Sequence, residues 1–268
     1  MWICRLREKS ALQRLTIEGR NRFPIWSPDG TRVAFQSDRG GEQAIYVQRV
    51  DGTDRAERLA VAQHGESVIP DSWSPDGGSI LLSIEKDSEF SLWTLSTQDG
   101  RLQPLGVTSQ RMIGATFRPD GRWIAYSRSG GNTRTLLLPD RGVFVQPFPA
   151  PGAVHQAPKV LIDFHPVWSP DGRELMYVPA AATGLLATVP VTSHDGLTFG
   201  APVTSPFRIN ANSINTQARV YDVLPDGSFV GLIDASEPDG PLANGTFEIR
   251  VVLNWFEELK ARVQPGRL

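Results

Sequence analysis

The sequence predicts an all-β fold, a β-propeller of four-stranded blades, on three observations. A short turn motif recurs five times at near-constant spacing, each copy leads into an apolar run bounded by turn residues, and helical periodicity is almost absent. The motif reads "WSPDG" at 26–30, 73–77 and 168–172, "FRPDG" at 117–121 and "VLPDG" at 223–227. Its prolines, at 28, 75, 119, 170 and 225, are 47, 44, 51 and 55 residues apart. A period of that length belongs to propellers and solenoids, and four short strands per period select the propeller.

The turn has a physical basis. Proline presets φ at the first turn position, aspartate bonds back to nearby backbone, and glycine accepts the positive φ that a β-carbon resists. The pairs Asp29-Gly30, Asp76-Gly77, Asp120-Gly121, Asp171-Gly172 and Asp226-Gly227 are therefore assigned a structural role, as hairpin turns with a glycine bulge.

After each glycine comes a second strand: "TRVAFQS", "GSILLSI", "RWIAYSR", "RELMYVP" and "SFVGLID". Val33 and Phe35, Ile80 and Leu82, Ile124 and Tyr126, Leu175 and Tyr177, and Val230 and Leu232 share one face of their strands. The residues between them, Ala34, Leu81, Ala125, Met176 and Gly231, leave the opposite face apolar as well. Such strands are sandwiched between neighbouring sheets. Third strands are expected at 44–50, 91–97, 142–148, 185–191 and 247–253, and short fourth strands near "ERLA" and "LQPLG".

Residues 1–16 fit the third and fourth strands of a blade, because Trp2 precedes the next anchor proline by 26 residues, as Trp93 does. This phase suggests an incomplete first blade. The expected partition is an outer half-blade over 1–20, blades over 21–60, 61–106, 107–162, 163–210 and 211–253, and a helical tail over 254–268. Asn254 caps that tail, with Glu257 three residues on and Trp255, Leu259 and Val263 at four-residue spacing. Two arrangements stay open. One is a six-bladed parent with an incomplete first blade; the other is a closed five-bladed ring in which "LQRLT" at 12–16 pairs with "FEIRVVL" at 247–253.

Composition excludes several classes. A net charge of −2 with scattered basic residues argues against a nucleic-acid binder, and no stretch approaches the roughly 18 apolar residues of a membrane span. No signal peptide is visible, so the chain reads as cytoplasmic as written, and as periplasmic or extracellular if its start is truncated. Cys4 stands alone, which excludes a disulfide within the chain, and is assigned to packing.

Catalytic motifs are missing: there is no G-x-S-x-G elbow, no H-E-x-x-H, no phosphate loop and no kinase motif. His64, His155, His165 and His194 fall on different repeats without ligand spacing, so neither a metal nor another cofactor is expected. The functional surface is expected on the loops between blades and between second and third strands, at 37–43, 61–71, 85–90, 127–132 and 163–166. Asp38, Arg39, His64, Asp71, Glu85, Arg128 and His165 are its candidate binding residues.

The "WSPDG" anchors followed by "RVAF" or "WIAY", the segments "VFVQPFPAPG" at 143–152 and "VWSPDGRELMYV" at 167–178, and the closing "VVLNWFEELKARV" resemble the WD40-like Pro-Asp repeat propellers related to the bacterial TolB carboxy-terminal domain. The closing segment is similar to that of large bacterial proteins in which such a propeller stands alone or follows a serine/threonine kinase domain. The resemblance implies a six-bladed ring acting as a protein-interaction or sensing module, from which this chain departs in lacking the first anchor. The expected function is a non-catalytic module binding a protein or peptide partner through its loop face, with fusion to or association with a signalling domain. The alternative is a small-ligand or carbohydrate-binding propeller, in the extreme a lyase or hydrolase-associated domain.

Overall fold

A computed structural model describes residues 1–3, 12–130, 139–149, 152–179, 185–193, 196–208, 219, 221–233 and 248–252. Cys4, His194 and the helical tail expected over 254–268 lie outside the described residues. Among those residues every regular element is a strand, and no helix is long and apolar enough to cross a membrane.

The strands form successive antiparallel ladders in chain order. A short pair, β1 (Trp2–Ile3) and β2 (Gln13–Arg14), comes first. Three four-stranded sheets follow. They are β3 (Asn21–Trp26) to β6 (Glu57–Val61) through β4 (Arg32–Ser37) and β5 (Ala44–Arg49); β7 (Glu66–Trp73), β8 (Ser79–Lys86), β9 (Glu89–Ser96) and β10 (Leu102–Ser109); and β11 (Thr116–Phe117), β12 (Trp123–Arg128), β13 (Gly142–Pro147) and β14 (His155–Gln156). In the next sheet β15 (Phe164–Trp168) pairs β16 (Glu174–Val178), and β16 pairs β17 (Leu185–Thr192). Two strands, β18 (Thr198–Phe199) and β19 (Val203–Arg208), then pair different stretches of β17. The last ladder is β20 (Tyr221–Val223), β21 (Phe229–Ile233) and β22 (Glu248–Val252). Gln13–Arg14 thus pairs with Trp2–Ile3, and β22 pairs with β21, rather than the two with each other.

The apolar side chains on the two faces of each second strand enter different cores. Ile80 and Leu82 pack with Ala34 and Ile45 of the preceding sheet, whereas Leu81, between them, packs with Ile113, Ile124 and Tyr126 of the following one. One repeat later Ile124 and Tyr126 face back, and Ala125 faces forward to Trp168, Leu175 and Tyr177. At the start, Leu15 with Met1 and Ile3 covers Val33 and Phe35. Each of the three four-stranded sheets is therefore a layer between two others, stacked face to face.

Buried polar groups fasten the layers where their backbones would otherwise lack partners. Gln36 Nε2 donates to Val68 O at 2.8 Å, His165 N to Ser127 Oγ at 2.9 Å and Phe117 N to Ser72 Oγ at 3.3 Å.

The Asp-Gly turns form a second repeated device. In all five copies the turn aspartate accepts the backbone N–H two residues on, at Thr31, Gly78, Arg122, Arg173 and Ser228. The glycines stand at φ 67, 75, 69, 68 and 79° at positions 30, 77, 121, 172 and 227. Two of them differ in surroundings. A β-carbon at Gly30 would meet nothing within 4 Å, but one at Gly172 would lie 3.0 Å from Arg118 Nε, which donates to Gly172 O at 2.9 Å. Gly30→Ala should cost about 1 to 2 kcal/mol, the left-handed penalty alone. Gly172→Ala should cost measurably more, since Arg118 must also give up its bond across the two sheets. Urea denaturation of the two variants checks this, and equal losses would contradict it.

Candidate functional site

In the first four repeats the chain carries an irregularity at a fixed place ahead of the anchor turn. Phe23, Gly114 and His165 each stand five residues before their anchor prolines, Pro28, Pro119 and Pro170, and adopt φ of 53, 57 and 56°. The second copy has Pro70 there, which cannot take a positive φ, and its register shift falls between Pro70 and Ser72. Matching shifts occur in β3 between Arg22 and Ile25 and in β15 between Phe164 and Val167. For Phe23 and His165 the left-handed backbone costs of order 1 kcal/mol, the kind of strain that concentrates at functional positions. Phe23, Pro70 and Gly114 come together on the wall of one cavity, and His165 lies on the wall of a second.

The first cavity has a volume of about 330 Å³. Its walls are Phe23, Pro24 and Ile25 of β3; Ile69, Pro70 and Asp71 of β7; Met112 and Gly114 ahead of β11; and Arg219, Tyr221, Asp222, Val230 and Gly231 around β20 and β21. The lining is mostly apolar, with the carboxyls of Asp71 and Asp222 and the guanidinium of Arg219 among its groups. Asp71 is buried and accepts the Ser83 Oγ–H at 2.6 Å. Burial pushes its carboxyl up to about 7, against the opposing pull of the Ser83 hydroxyl, the Ala115 N–H and the charge of Arg219. Arg219 is held by backbone, with Nε donating to Tyr221 O at 3.0 Å and Nη1 to Pro166 O at 3.4 Å, and its Nη2 lies 3.6 Å from Asp222 Oδ1. The Tyr221 hydroxyl donates to His165 O, and burial raises its pKa above the ordinary tyrosine value.

A second, smaller cavity of about 20 Å³ adjoins the first through Met112, which lines both. It sits where the end of β10, the end of β12 and the start of β15 meet, bounded by Ser109, Ser127–Ser129, Arg141 and Ile162–His165. Because β12 leaves its Asp-Gly turn and β15 runs toward its own, this is the end of the sheets away from the turns.

The seven candidate binding residues do not converge. Asp71 lines the large cavity, and Arg128 and His165 share the small one. Asp71 and His165 are corrections to the loop assignment: both lie buried in innermost strands, β7 and β15, where their bulges place them. The expected loop at 85–90 also contracts to the two residues Asp87 and Ser88, at φ 50 and 66°, the signature of a tight hairpin. Glu85 is then a strand residue opposite Ser67 and Phe90. Asp38 accepts Arg20 N at 2.7 Å, and Arg39 bonds Asn21 Oδ1 at 2.9 Å while its guanidinium lies over the Phe35 and Tyr46 rings. This pair braces the first four-stranded sheet, and His64 is exposed in the turn ahead of β7. Among the described residues no three His, Cys, Asp or Glu side chains gather as a metal ion requires. Sequence reasoning did not single out Phe23, Met112, Gly114, Arg141 or Arg219. The signal for Phe23 and Gly114 was present in their offset of five from the anchor.

Comparison with known proteins bears on this arrangement. A family model described as the TolB beta propeller domain matches residues 1–157. A Bacillus subtilis (strain 168) protein named as the peptidase YuxL is 27% identical over 179 residues, 66% of this chain and 24% of its own length. The Tol-Pal system protein TolB of Anaeromyxobacter dehalogenans (strain 2CP-C) is 29% identical over 138 residues, 52% of this chain and 29% of its own. The chain thus spans about a quarter of the length of these curated relatives. Among solved structures, TolB from Acinetobacter baumannii superposes with a TM-score of 0.61 at 17% identity, covering 85% of this chain and 52% of that one. A functionally unknown protein from Desulfotomaculum acetoxidans DSM 771 gives 0.54 at 14%, covering 91% and 80%. Stacked four-stranded sheets, the repeated Asp-Gly turn and a family match over more than half the sequence lead to one conclusion: this chain belongs to the TolB beta propeller domain family.

Proposed function

We propose that this propeller is a non-catalytic module that binds a protein or peptide partner at the end of its sheets opposite the Asp-Gly turns, with the large cavity as the anchoring pocket. The observation that carries the reading is the make-up of that cavity: Phe23, Ile25, Ile69, Pro70 and Met112 offer apolar surface, and Asp71 with the Arg219–Asp222 pair offers charged and polar groups to fix orientation. A pocket of this kind suits an apolar side chain presented beside a polar backbone. The likeness to YuxL covers a quarter of that protein, and the sequence contains no G-x-S-x-G elbow or H-E-x-x-H motif that would support a peptidase reading. The partition into an outer half-blade and five further blades belongs to the same reading.

Selection of peptides from a displayed random library against the purified chain tests it. Recovered peptides should lose at least tenfold in affinity on Met112→Asp, which puts a charge on the cavity wall at a partly exposed position, and on Arg219→Gln. Thermal denaturation checks that both variants fold. Binders indifferent to both substitutions, or cleavage of the peptides by repurified wild-type protein, would contradict the proposal.

A further inference from the structure

One buried donor on the wall of the small cavity lacks an acceptor. Arg141 is 3% exposed; its Nε donates to Ser129 Oγ at 3.2 Å, but Nη2 is buried and makes no hydrogen bond. None of the ion pairs among the described residues involves it. The hydroxyls beside it act as acceptors. Ser129 Oγ takes the guanidinium, Ser109 Oγ takes the N–H groups of Arg111 at 3.2 Å and Ser129 at 3.1 Å, and Ser127 Oγ takes His165 N at 2.9 Å. Each serine therefore keeps its O–H proton to give.

The carboxylate on the wall does not use these donors. Asp163 spends its two oxygens on the N–H groups of Val160 and Leu161, at 3.0 Å each, and burial raises its pKa. A buried guanidinium nitrogen left unbonded is costly, and a ring of donors around it is completed by an anionic acceptor. The size narrows the choice. A space of about 20 Å³ holds roughly one water-sized group, so the tip of a carboxylate entering from the open side fits where a whole phosphate does not.

We propose that this cavity is a carboxylate receptor, in which Arg141 and the serine hydroxyls bind an aspartate or glutamate side chain, or the C-terminal carboxylate, of the protein partner. The inference rests on the reading that this end of the sheets is the partner surface, and adds an acidic group to the partner's apolar anchor. Met112, shared by the two cavities, puts the two contacts within reach of one peptide.

Two arms test it. In the first, the melting temperature is followed in sodium formate, sodium phosphate and sodium chloride at equal ionic strength, for wild type, Arg141→Gln, Arg141→Lys and the exposed turn variant Arg122→Gln. Formate should stabilise wild type and Arg122→Gln more than either inorganic anion, do so weakly in Arg141→Lys, and have no added effect in Arg141→Gln. An equal response in all four proteins, no response in wild type, or an equal effect of phosphate or chloride would overturn the receptor. An unfolded Arg141→Gln leaves Arg141→Lys, which keeps the charge without the fork, to decide. In the second arm, hexaglutamate should bind wild type at least fivefold more tightly than hexaglutamine, with the difference lost in the Arg141 variants and kept in Arg122→Gln. A formate effect that depends on Arg141, together with equal binding of the two peptides, would leave the carboxylate site standing and overturn the partner reading beneath it.

Discussion

Raising the pH from 4 to 8 should destabilise the wild-type protein by several kcal/mol more than it destabilises Asp71→Asn. Burial holds the Asp71 carboxyl at about 7, above its ordinary 3.8. A group whose folded pKa is raised favours the fold while protonated, so its contribution is complete below about 4 and is lost as the pH rises through 7. Three pH units correspond to roughly 4 kcal/mol. The turn aspartates do not blur the result. Hydrogen bonds from Ser27 and Thr31 hold Asp29 down to about 2, and Asp76 and Asp99 are lowered by Ser74 and Ser96. Their stabilisation is present above the ordinary carboxylate value and is lost only as the pH falls below it. Asp163, raised by burial, has the same sign as Asp71 but is common to both proteins. Asparagine keeps the acceptor for Ser83 and Ala115 and cannot ionise. Urea denaturation at pH 4.5, 6 and 8 should show Asp71→Asn overtaking wild type at the alkaline end. Parallel profiles would show that the carboxyl is not desolvated as described.

The second large effect tests the layering. Leu81 and Leu82 are neighbours in β8, both fully buried, and enter different cores. Each truncation to alanine should cost 2 to 5 kcal/mol through lost burial and the cavity left behind. Because the two cavities lie on opposite faces of the sheet, the double variant should lose close to the sum of the two. A sheet with one face in water would respond to only one of the pair.

Much of this layering was legible in the sequence. The alternation placed Val33, Ile80, Ile124 and Leu175 on one face and Ala34, Leu81 and Ala125 on the other, because strand geometry alone fixes which side chains share a face; that the first face meets the preceding sheet and the second the next is visible only in the packing. The turns were legible for the same local reason. The site was less so. Asp71 and His165 were singled out, but as loop residues, since a bulge that buries a polar side chain in an innermost strand has no propensity signature. Arg219 and Arg141 lie outside the anchor motif. What sets them at a cavity is the approach of sheets far apart in sequence, as when Arg219 Nη1 bonds Pro166 O. Asp38 and Arg39 had the composition expected of a binding loop, yet their hydrogen bonds turn inward to Arg20 and Asn21.

The claim that this propeller engages a partner through its inner-strand cavity is tested most directly by amide hydrogen exchange, with and without a peptide recovered by selection. Binding should slow exchange at 68–71, 112–115 and 221–223, the segments that wall the cavity, and leave the turns at 27–30, 74–77 and 169–172 unchanged. Protection confined to those turns, or spread evenly over the chain, would contradict it.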